Sequence, residues 1–311
     1  MKNLVLAALI IGLTFKVTAQ QEAMFTHYSF NTLGVNPGYA GSRDALTVTG
    51  LHRSQWVSFP GAPVTQTLTL HAPIFNEKIG LGASFINDKI GPTKSTGFFV
   101  DFAYKIQVGD KGKLAFGLKG GLNVRGTDLA SLTTIEGGDP NFQTSIQSQL
   151  LPNFGFGLYY SLPRFYAGIS TPRLLQNKFE TSSTSGGTNA AFEARHYYFI
   201  AGTIFNLTEN GNLKLKPTTF IKVTAAAPVE MDLTALFYYK DFLWAGPMFR
   251  TGDAFGVLAG LNLTDQFSLG YSFDWSFGNS TGRYNAGSHE LMLRYDFIFN
   301  EKAKIESPRY F

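Results

Sequence analysis

Apolar and polar residues alternate along most of the chain from Ala45 onward. Between Gln266 and Phe277, large apolar residues hold every second position, and Ser, Gly or Asp holds the positions between them. A period of two is typical of a β-strand with one apolar and one polar face. We count about fourteen such runs, at 45–56, 65–73, 78–88, 95–108, 113–126, 151–161, 164–171, 192–206, 213–223, 229–240, 242–251, 254–263, 266–276 and 289–299. Most are about ten residues long, which is enough for a tilted strand to cross a bilayer.

The connections between the runs distinguish a barrel from a soluble β-sandwich. A single run fits either architecture, because both have one apolar face. Here short connections such as 109–112 and 162–163 alternate with longer ones such as 127–152 and 172–194. Outer-membrane barrels join their strands by short periplasmic turns and longer external loops. The sequence therefore predicts an all-β protein, an antiparallel transmembrane β-barrel of the outer membrane with about fourteen strands and both termini on the periplasmic side.

The alternation also assigns each side chain to a face. We expect one parity to face lipid, including Leu114, Leu118, Phe267, Tyr271, Leu291 and Phe297. Charged residues of the other parity face the lumen, namely Asp101, Lys105, Lys119, Arg125, Asp274, Glu290, Arg294 and Asp296. These charges either pair with one another and fill the interior or line a pore; the first arrangement is favoured, and the sequence leaves both open.

The two ends of the chain do not alternate. Residues 1–19 carry a lysine, an apolar run and a final small residue, which predicts a secretory signal peptide. Residues 20–44 resemble a loop that lies in the periplasm or folds into the lumen, residues 45–299 form the predicted barrel, and residues 300–311 form a periplasmic tail.

Composition narrows the class of protein further. Charged residues make up 15% of the chain and aromatic residues another 15%, and a soluble surface usually carries more charge. Cysteine is absent, so disulfides and thiolate chemistry are excluded. The net charge of +4 is scattered, and no basic run predicts nucleic-acid binding.

Candidate catalytic groups are sparse. The five histidines lack metal-ligand spacing. Ser288 and His289 are adjacent on a predicted strand, so their side chains point to opposite faces and do not form a hydrolase pair. We therefore predict neither an enzyme nor a cofactor or metal site.

Several motifs resemble one family. They are Asn36-Pro37-Gly38-Tyr39-Ala40-Gly41, then Arg53, Gln55 and Trp56, the Pro60-Gly61-Ala62-Pro63 turn, Asp88 with Ile90-Gly91-Pro92, and the C-terminal stretches GSHELMLRYDF and SPRYF. Together they resemble the PorP/SprF family, outer-membrane proteins of the type IX secretion system known from the Bacteroidota. The resemblance covers nearly the whole mature chain, and Gly38 departs from the alanine that the family often has. It implies partner-binding or structural roles for Asn36, Pro37, Tyr39, Gly41, Arg53, Gln55, Trp56, Pro60, Gly61, Pro63, Arg309, Tyr310 and Phe311.

The resemblance also implies a function. Members of this family support secretion by the type IX machinery or hold large secreted adhesins at the cell surface, and some take part in gliding motility. The implied partners are outer-membrane lipid, a secreted adhesin or its C-terminal domain, and periplasmic type IX secretion or peptidoglycan-linked components, with no nucleic acid. The sequence does not separate the core-machinery type from the adhesin-partner type. An outer-membrane channel or transporter for small or hydrophobic solutes stays open as the alternative.

Overall fold

The computed structural model describes residues 24–75, 77–132, 145–184, 187–225, 227–278 and 284–298, with backbone alone at 179–184 and 187–191. The predicted signal peptide and the predicted tail, with Arg309, Tyr310 and Phe311, lie outside the described residues.

The described chain is almost entirely β-strand. In chain order the strands are β1 (Leu46–Ser54), β2 (Val64–Ile74), β3 (Ile79–Ile90), β4 (Thr93–Val108), β5 (Gly112–Thr127), β6 (Ile146–Leu162), β7 (Phe165–Thr171), β8 (Lys178–Thr184), β9 (Gly187–Phe192), β10 (His196–Thr203), β11 (Phe205–Asn206), β12 (Leu213–Thr224), β13 (Glu230–Tyr239), β14 (Leu243–Arg250), β15 (Ala254–Asn262), β16 (Phe267–Ser276) and β17 (Ser288–Phe297). The helical elements are three short 3-10 turns, Thr32–Gly34, Pro37–Tyr39 and Leu129–Ser131. No helix of the described chain is long and apolar enough to span a membrane.

The strands close into a barrel. The main sheet has 15 strands, and one of them, β11, is a two-residue piece paired with β12, so fourteen full strands form the wall. Every neighbouring pair is antiparallel, and β1 pairs with β17 to close the sheet. Closure satisfies the backbone groups of every strand and leaves no edge in the membrane. The predicted fold class is confirmed.

The two ends of the barrel differ in their connections. At the end where β1 begins and β17 ends, which we call the terminal end, five turns are four residues or shorter, at 75–78, 109–111, 163–164, 240–242 and 263–266. The opposite end, which we call the long-loop end, carries longer connections at 55–63, 128–145, 172–195 and 277–287. This asymmetry matches the predicted arrangement of short periplasmic turns and longer external loops.

Two predicted connections are wrong in detail. The third predicted run ends at 88 and the fourth begins at 95, but β3 and β4 extend until Gly91 and Pro92 alone join them. Gly91 has a φ of 55°, a value that glycine adopts without a steric cost and that such a tight turn requires. The predicted loop 172–194 contains the separate hairpin β8–β9.

The faces of the wall follow the predicted parity. Leu118 is 61% exposed, and Tyr271, Leu291 and Phe297 are also exposed on the outer surface. Leu114 and Phe267 have the same parity and are half-buried. Inward residues are buried, including Asp101, Lys105, Lys119, Asp274, Glu290, Arg294 and Asp296, and Arg125 is half-buried. A continuous apolar outer surface on a closed barrel is the surface that lipid contacts.

The apolar core lies inside the barrel. It consists of two clusters, and each combines wall residues with residues of the chain that precedes β1. Tyr28, Leu33 and Tyr39 belong to one cluster, and Phe30 belongs to the other. We call residues 24–44 the lumen segment, because most of their side chains are buried against the inner wall.

Candidate functional site

The lumen segment runs the length of the barrel interior. Thr26 contacts β16 and β17 near the long-loop end, and Asn31 bonds Thr67 and Thr69 in the middle of β2. Asn36 donates to the carbonyl of Leu158 near the terminal end, and Arg43 pairs there with Asp296. The segment therefore joins β1 at the terminal end, whereas Met24 lines a cavity at the long-loop end. Of the two predicted places for residues 20–44, the periplasm and the lumen, the described residues 24–44 occupy the lumen.

Charged side chains hold the beginning of the lumen segment. Arg53 Nη1 donates to Asp274 Oδ2 at 2.7 Å and to Glu290 Oε2 at 3.2 Å. Thr26 Oγ1 donates to Asp274 at 2.6 Å, and His27 Nδ1 shares a hydrogen bond of 2.8 Å with Glu290. We call these five residues the Arg53 cluster.

The Arg53 cluster is closed to solvent. The side chains of Arg53, Asp274 and Glu290 are 3% exposed or less. Buried charges need partners, and each of these charges has at least one, although Arg53 Nε and Asp274 Oδ1 have no hydrogen bond. Because no face of the cluster is open, the arrangement binds the segment to the wall and offers no room for a substrate.

An aromatic clamp holds the middle of the segment. The ring of Phe30 stacks on Trp244 with centroids 4.5 Å apart. Lys216 Nζ lies 5.2 Å and the Arg294 guanidinium 5.5 Å from the centroid of the Phe30 ring, within cation–π range. The Tyr28 ring stacks on Phe220 with centroids 5.1 Å apart.

The Asn36–Gly41 motif contacts the inner wall near the terminal end of the barrel. Asn36 Oδ1 accepts from the backbone N–H of Gly38 at 2.8 Å and so caps the turn that begins at Pro37. The Tyr39 ring packs edge-on against His71 and Tyr159.

Gly41 is required by both its conformation and its surroundings. Its φ of 66° lies in the left-handed region, and a Cβ there would lie 2.8 Å from the Cα of Gly80. Its N–H donates to His71 Nδ1 at 3.0 Å, and its carbonyl accepts from Lys105 Nζ. A larger residue would push the segment away from the wall.

The residues of the predicted motif at 53–63 lie in two different parts of the barrel. Arg53 points into the lumen, and the remaining residues form the rim at the long-loop end. Trp56 Nε1 donates to Ser276 Oγ at 3.2 Å, and the Gln55 N–H donates to the Pro63 carbonyl at 2.9 Å. Gly61, with a φ of 76°, accepts from the Gly91 N–H at 2.9 Å, while Pro60 is exposed. The rim is thus a set of loops joined by hydrogen bonds.

Sequence reasoning missed the residues that hold the lumen segment at its start. Thr26, His27 and Phe30 precede the family-like motif and show no periodicity, so no local signal marked them. Asp274 and Glu290, the partners of Thr26 and His27, were predicted to face the lumen, and in the structure they pair with Arg53.

A cavity of about 140 Å³ lies between the lumen segment and the long-loop end. Phe99 forms part of its wall, with Lys119 and Arg173 both within cation–π distance of the ring. Asp88 and Glu193 also line it, so both signs of charge are present. Within the part of the chain that the structure describes, no group of His, Asp or Glu side chains could hold a metal ion.

The model of one protein family matches this chain over a range that includes the lumen segment and the rim. The family is described as "Type IX secretion system membrane protein PorP/SprF", and the match spans residues 17–295, which include nearly the whole described chain. The chain belongs to the PorP/SprF family. This membership and the barrel fold identify an outer-membrane protein of the type IX secretion system, as predicted. A search of curated proteins finds no significant match to this PorP/SprF chain.

Solved barrels resemble this PorP/SprF protein in fold. The CymD monoaromatic hydrocarbon channel is 10% identical with a TM-score of 0.50, and the match covers 88% of this chain and 93% of CymD. A Pseudomonas aeruginosa FadL homologue is 12% identical with a TM-score of 0.49, covering 87% and 94%. Omp33 of Acinetobacter baumannii is 11% identical with a TM-score of 0.48, covering 83% and 100%. At these identities the likeness concerns the fold alone.

Proposed function

We propose that this protein supports type IX secretion by binding other proteins on both sides of the outer membrane, and that it holds a secreted partner such as a large adhesin at the cell surface. The observation that supports binding over transport is the occupied lumen. The lumen segment contacts the inner wall from the Arg53 cluster to Arg43, so it lies in the path that a solute would need.

The external contact is assigned to the rim and the longer loops. Trp56 and Ser58 have φ values of 49° and 73°, unusual for residues other than glycine, and hydrogen bonds fix the loop that contains them. The Val57 N–H donates to the Gly287 carbonyl, and the Ala286 N–H donates back to Val57, each at 2.8 Å. A loop held this rigidly presents a preformed surface to a partner, which lowers the entropy lost on binding.

The periplasmic contact is assigned to the terminal end and the tail beyond it. Exposed charges there include Lys78, Lys111 and Glu77. The residues Arg309, Tyr310 and Phe311 would add a cation and two aromatic rings, the types that are enriched at protein interfaces. A gliding-related role would follow if the periplasmic partner were linked to a moving component.

Deletion of Glu301–Phe311 tests the periplasmic contact. All fourteen strands end before this segment, so the barrel should still assemble and show its usual heat-modifiable migration. Secretion or surface display of the cognate protein should fall. A matched control replaces the same residues with a Gly/Ser linker of equal length. Full display by the deleted protein would contradict this assignment of the periplasmic contact.

The channel alternative is tested by solute uptake. Liposomes containing the protein should admit small or hydrophobic solutes at the rate of protein-free liposomes. The lumen segment gives the channel reading no support, and we do not propose it as the function.

A further inference from the structure

Near the long-loop end, the outward surface of β1–β4 carries a row of polar side chains that are hydrogen-bonded to one another. His52 Nε2 shares a hydrogen bond with Ser54 Oγ at 3.2 Å, and Gln66 Nε2 shares one with His52 Nδ1 at 3.4 Å. Asn87 Nδ2 donates to Gln66 Oε1, and Thr96 Oγ1 donates to Asn87 Oδ1, each at 3.2 Å. We call Ser54, His52, Gln66, Asn87 and Thr96 the polar ladder, because each strand is bonded to the next.

The polar ladder lies at the border of the apolar surface that is nearer the long-loop end. The next outward positions towards the terminal end are Leu68, Phe85 and Phe98, and all three are exposed. Towards the long-loop end the next outward positions on β3 and β4 are Lys89 and Lys94, which are also exposed. Polar groups at the lipid-facing border are costly unless they are satisfied and are a sign of function.

Lys89 and Lys94 lie directly opposite each other in the β3–β4 pair. Like charges at opposed positions of a sheet are destabilising. Among the described residues neither lysine forms an ion pair within 4.0 Å, and the neighbouring Asp88 turns inward to accept from Thr65 Oγ1 at 2.6 Å. An anion between the two ammonium groups would relieve their repulsion.

We propose that Lys89 and Lys94, with the polar ladder below them, bind the phosphate-bearing headgroup of an anionic lipid in the leaflet at the long-loop end. Ammonium groups bind phosphate as point charges, and the amide and hydroxyl groups of Asn87, Gln66 and Thr96 can donate to the remaining headgroup oxygens. The apolar residues below would contact the acyl chains. With the predicted orientation this leaflet is the outer one.

A lipid fits this surface better than a protein strand does. The wall is closed, so β1–β4 have no free backbone edge with which a strand could pair. The ordered sequence of two cations, then neutral donors, then exposed Leu and Phe matches the order of phosphate, glycerol and acyl chain in a lipid. Electrostatic attraction of anionic headgroups to surface lysines is strong enough to select one lipid class.

The test uses the full mature chain in nanodiscs of phosphatidylcholine with a minor fraction of phosphatidylglycerol. Lipid that remains bound after transfer to neutral detergent is counted by native mass spectrometry. The double variant Lys89→Gln/Lys94→Gln should retain phosphatidylglycerol more weakly, on the order of tenfold or more. The matched control Lys178→Gln/Lys240→Gln removes two exposed lysines outside this surface and should bind like the unchanged protein.

Two further measurements keep the proposal falsifiable. The variant Gln66→Ala/Asn87→Ala keeps both lysines and should lose part of the retention, whereas equal retention by all variants would overturn the proposal. In neutral detergent without lipid, inorganic phosphate should not raise the unfolding temperature more than sodium chloride of equal ionic strength. If free phosphate stabilised the protein as much as phosphatidylglycerol does, the site would be one for free phosphate and the lipid proposal would be wrong.

Discussion

Replacing Arg53 with methionine should destabilise the barrel far more than the loss of a surface ion pair does. Methionine keeps much of the volume of the side chain but leaves the carboxylates of Asp274 and Glu290, which are 1% and 0% exposed, without their cation. Removing one partner of a buried pair costs about 3–5 kcal/mol, because the remaining charge is neither solvated nor paired. Here one guanidinium serves two carboxylates, but Thr26 and His27 still hydrogen-bond to them, so we expect a loss within this range.

The assay is equilibrium urea unfolding of the protein in lipid vesicles, followed by tryptophan fluorescence. The control variant Lys113→Met breaks the pair with Glu77, whose atoms are 3.0 Å apart and whose side chains are 42% and 54% exposed. An exposed pair contributes at most about 1 kcal/mol. Adding Asp274→Asn and Glu290→Gln to Arg53→Met should recover part of the loss. Equal unfolding free energies for Arg53→Met and Lys113→Met would refute the structural role of the cluster.

Three further predictions concern the wall, the lumen segment and the rim. Leu118→Lys places a charge on the lipid face and should cost about 2–4 kcal/mol of unfolding free energy, whereas Leu118→Val should change it little; similar values for both would contradict the lipid contact. Gly41→Ala should lower the unfolding temperature because its Cβ meets the Gly80 backbone, and the control Gly120→Ala, where a Cβ meets nothing within 4 Å, should not. Trp56→Ala should speed hydrogen exchange at the rim and reduce display of the secreted partner, and unchanged exchange together with unchanged display would remove the proposed role of the rim.

The wall could be predicted from the sequence because a lipid-facing barrel imposes one rule on every strand. Phe267 and Leu291 lie on strands of unbroken alternation, and both were assigned to the correct face. The limits of β3, β4 and β6 were less predictable, since Gly, Thr and Lys near the strand ends fit a strand as well as a loop. β6, for example, begins at Ile146 rather than at 151. The hairpin β8–β9 was missed for the same reason, because its stretch is rich in Ser, Thr and Gly.

The lumen segment could not be placed from the sequence. Its contacts are formed with residues far away in the chain, such as Thr26 with Glu290. Contacts of this kind produce no periodic pattern of apolar and polar residues in the sequence. The family-like motif drew attention to Asn36 and Gly41 but did not show that they contact the inner wall. Arg53 was grouped with Trp56 because they are neighbours in sequence, yet alternation sends Arg53 into the lumen.

Single-channel recording in planar bilayers tests the central claim most directly, because a lumen occupied by residues 24–44 should not conduct ions. We expect the unchanged protein to show no steady conductance above the bilayer background. A variant without residues 24–41 that still inserts should show open-channel steps, since the buried charges of the inner wall would then line a water-filled path. Steady, porin-like conductance by the unchanged protein would contradict the occupied lumen and the binding function built on it.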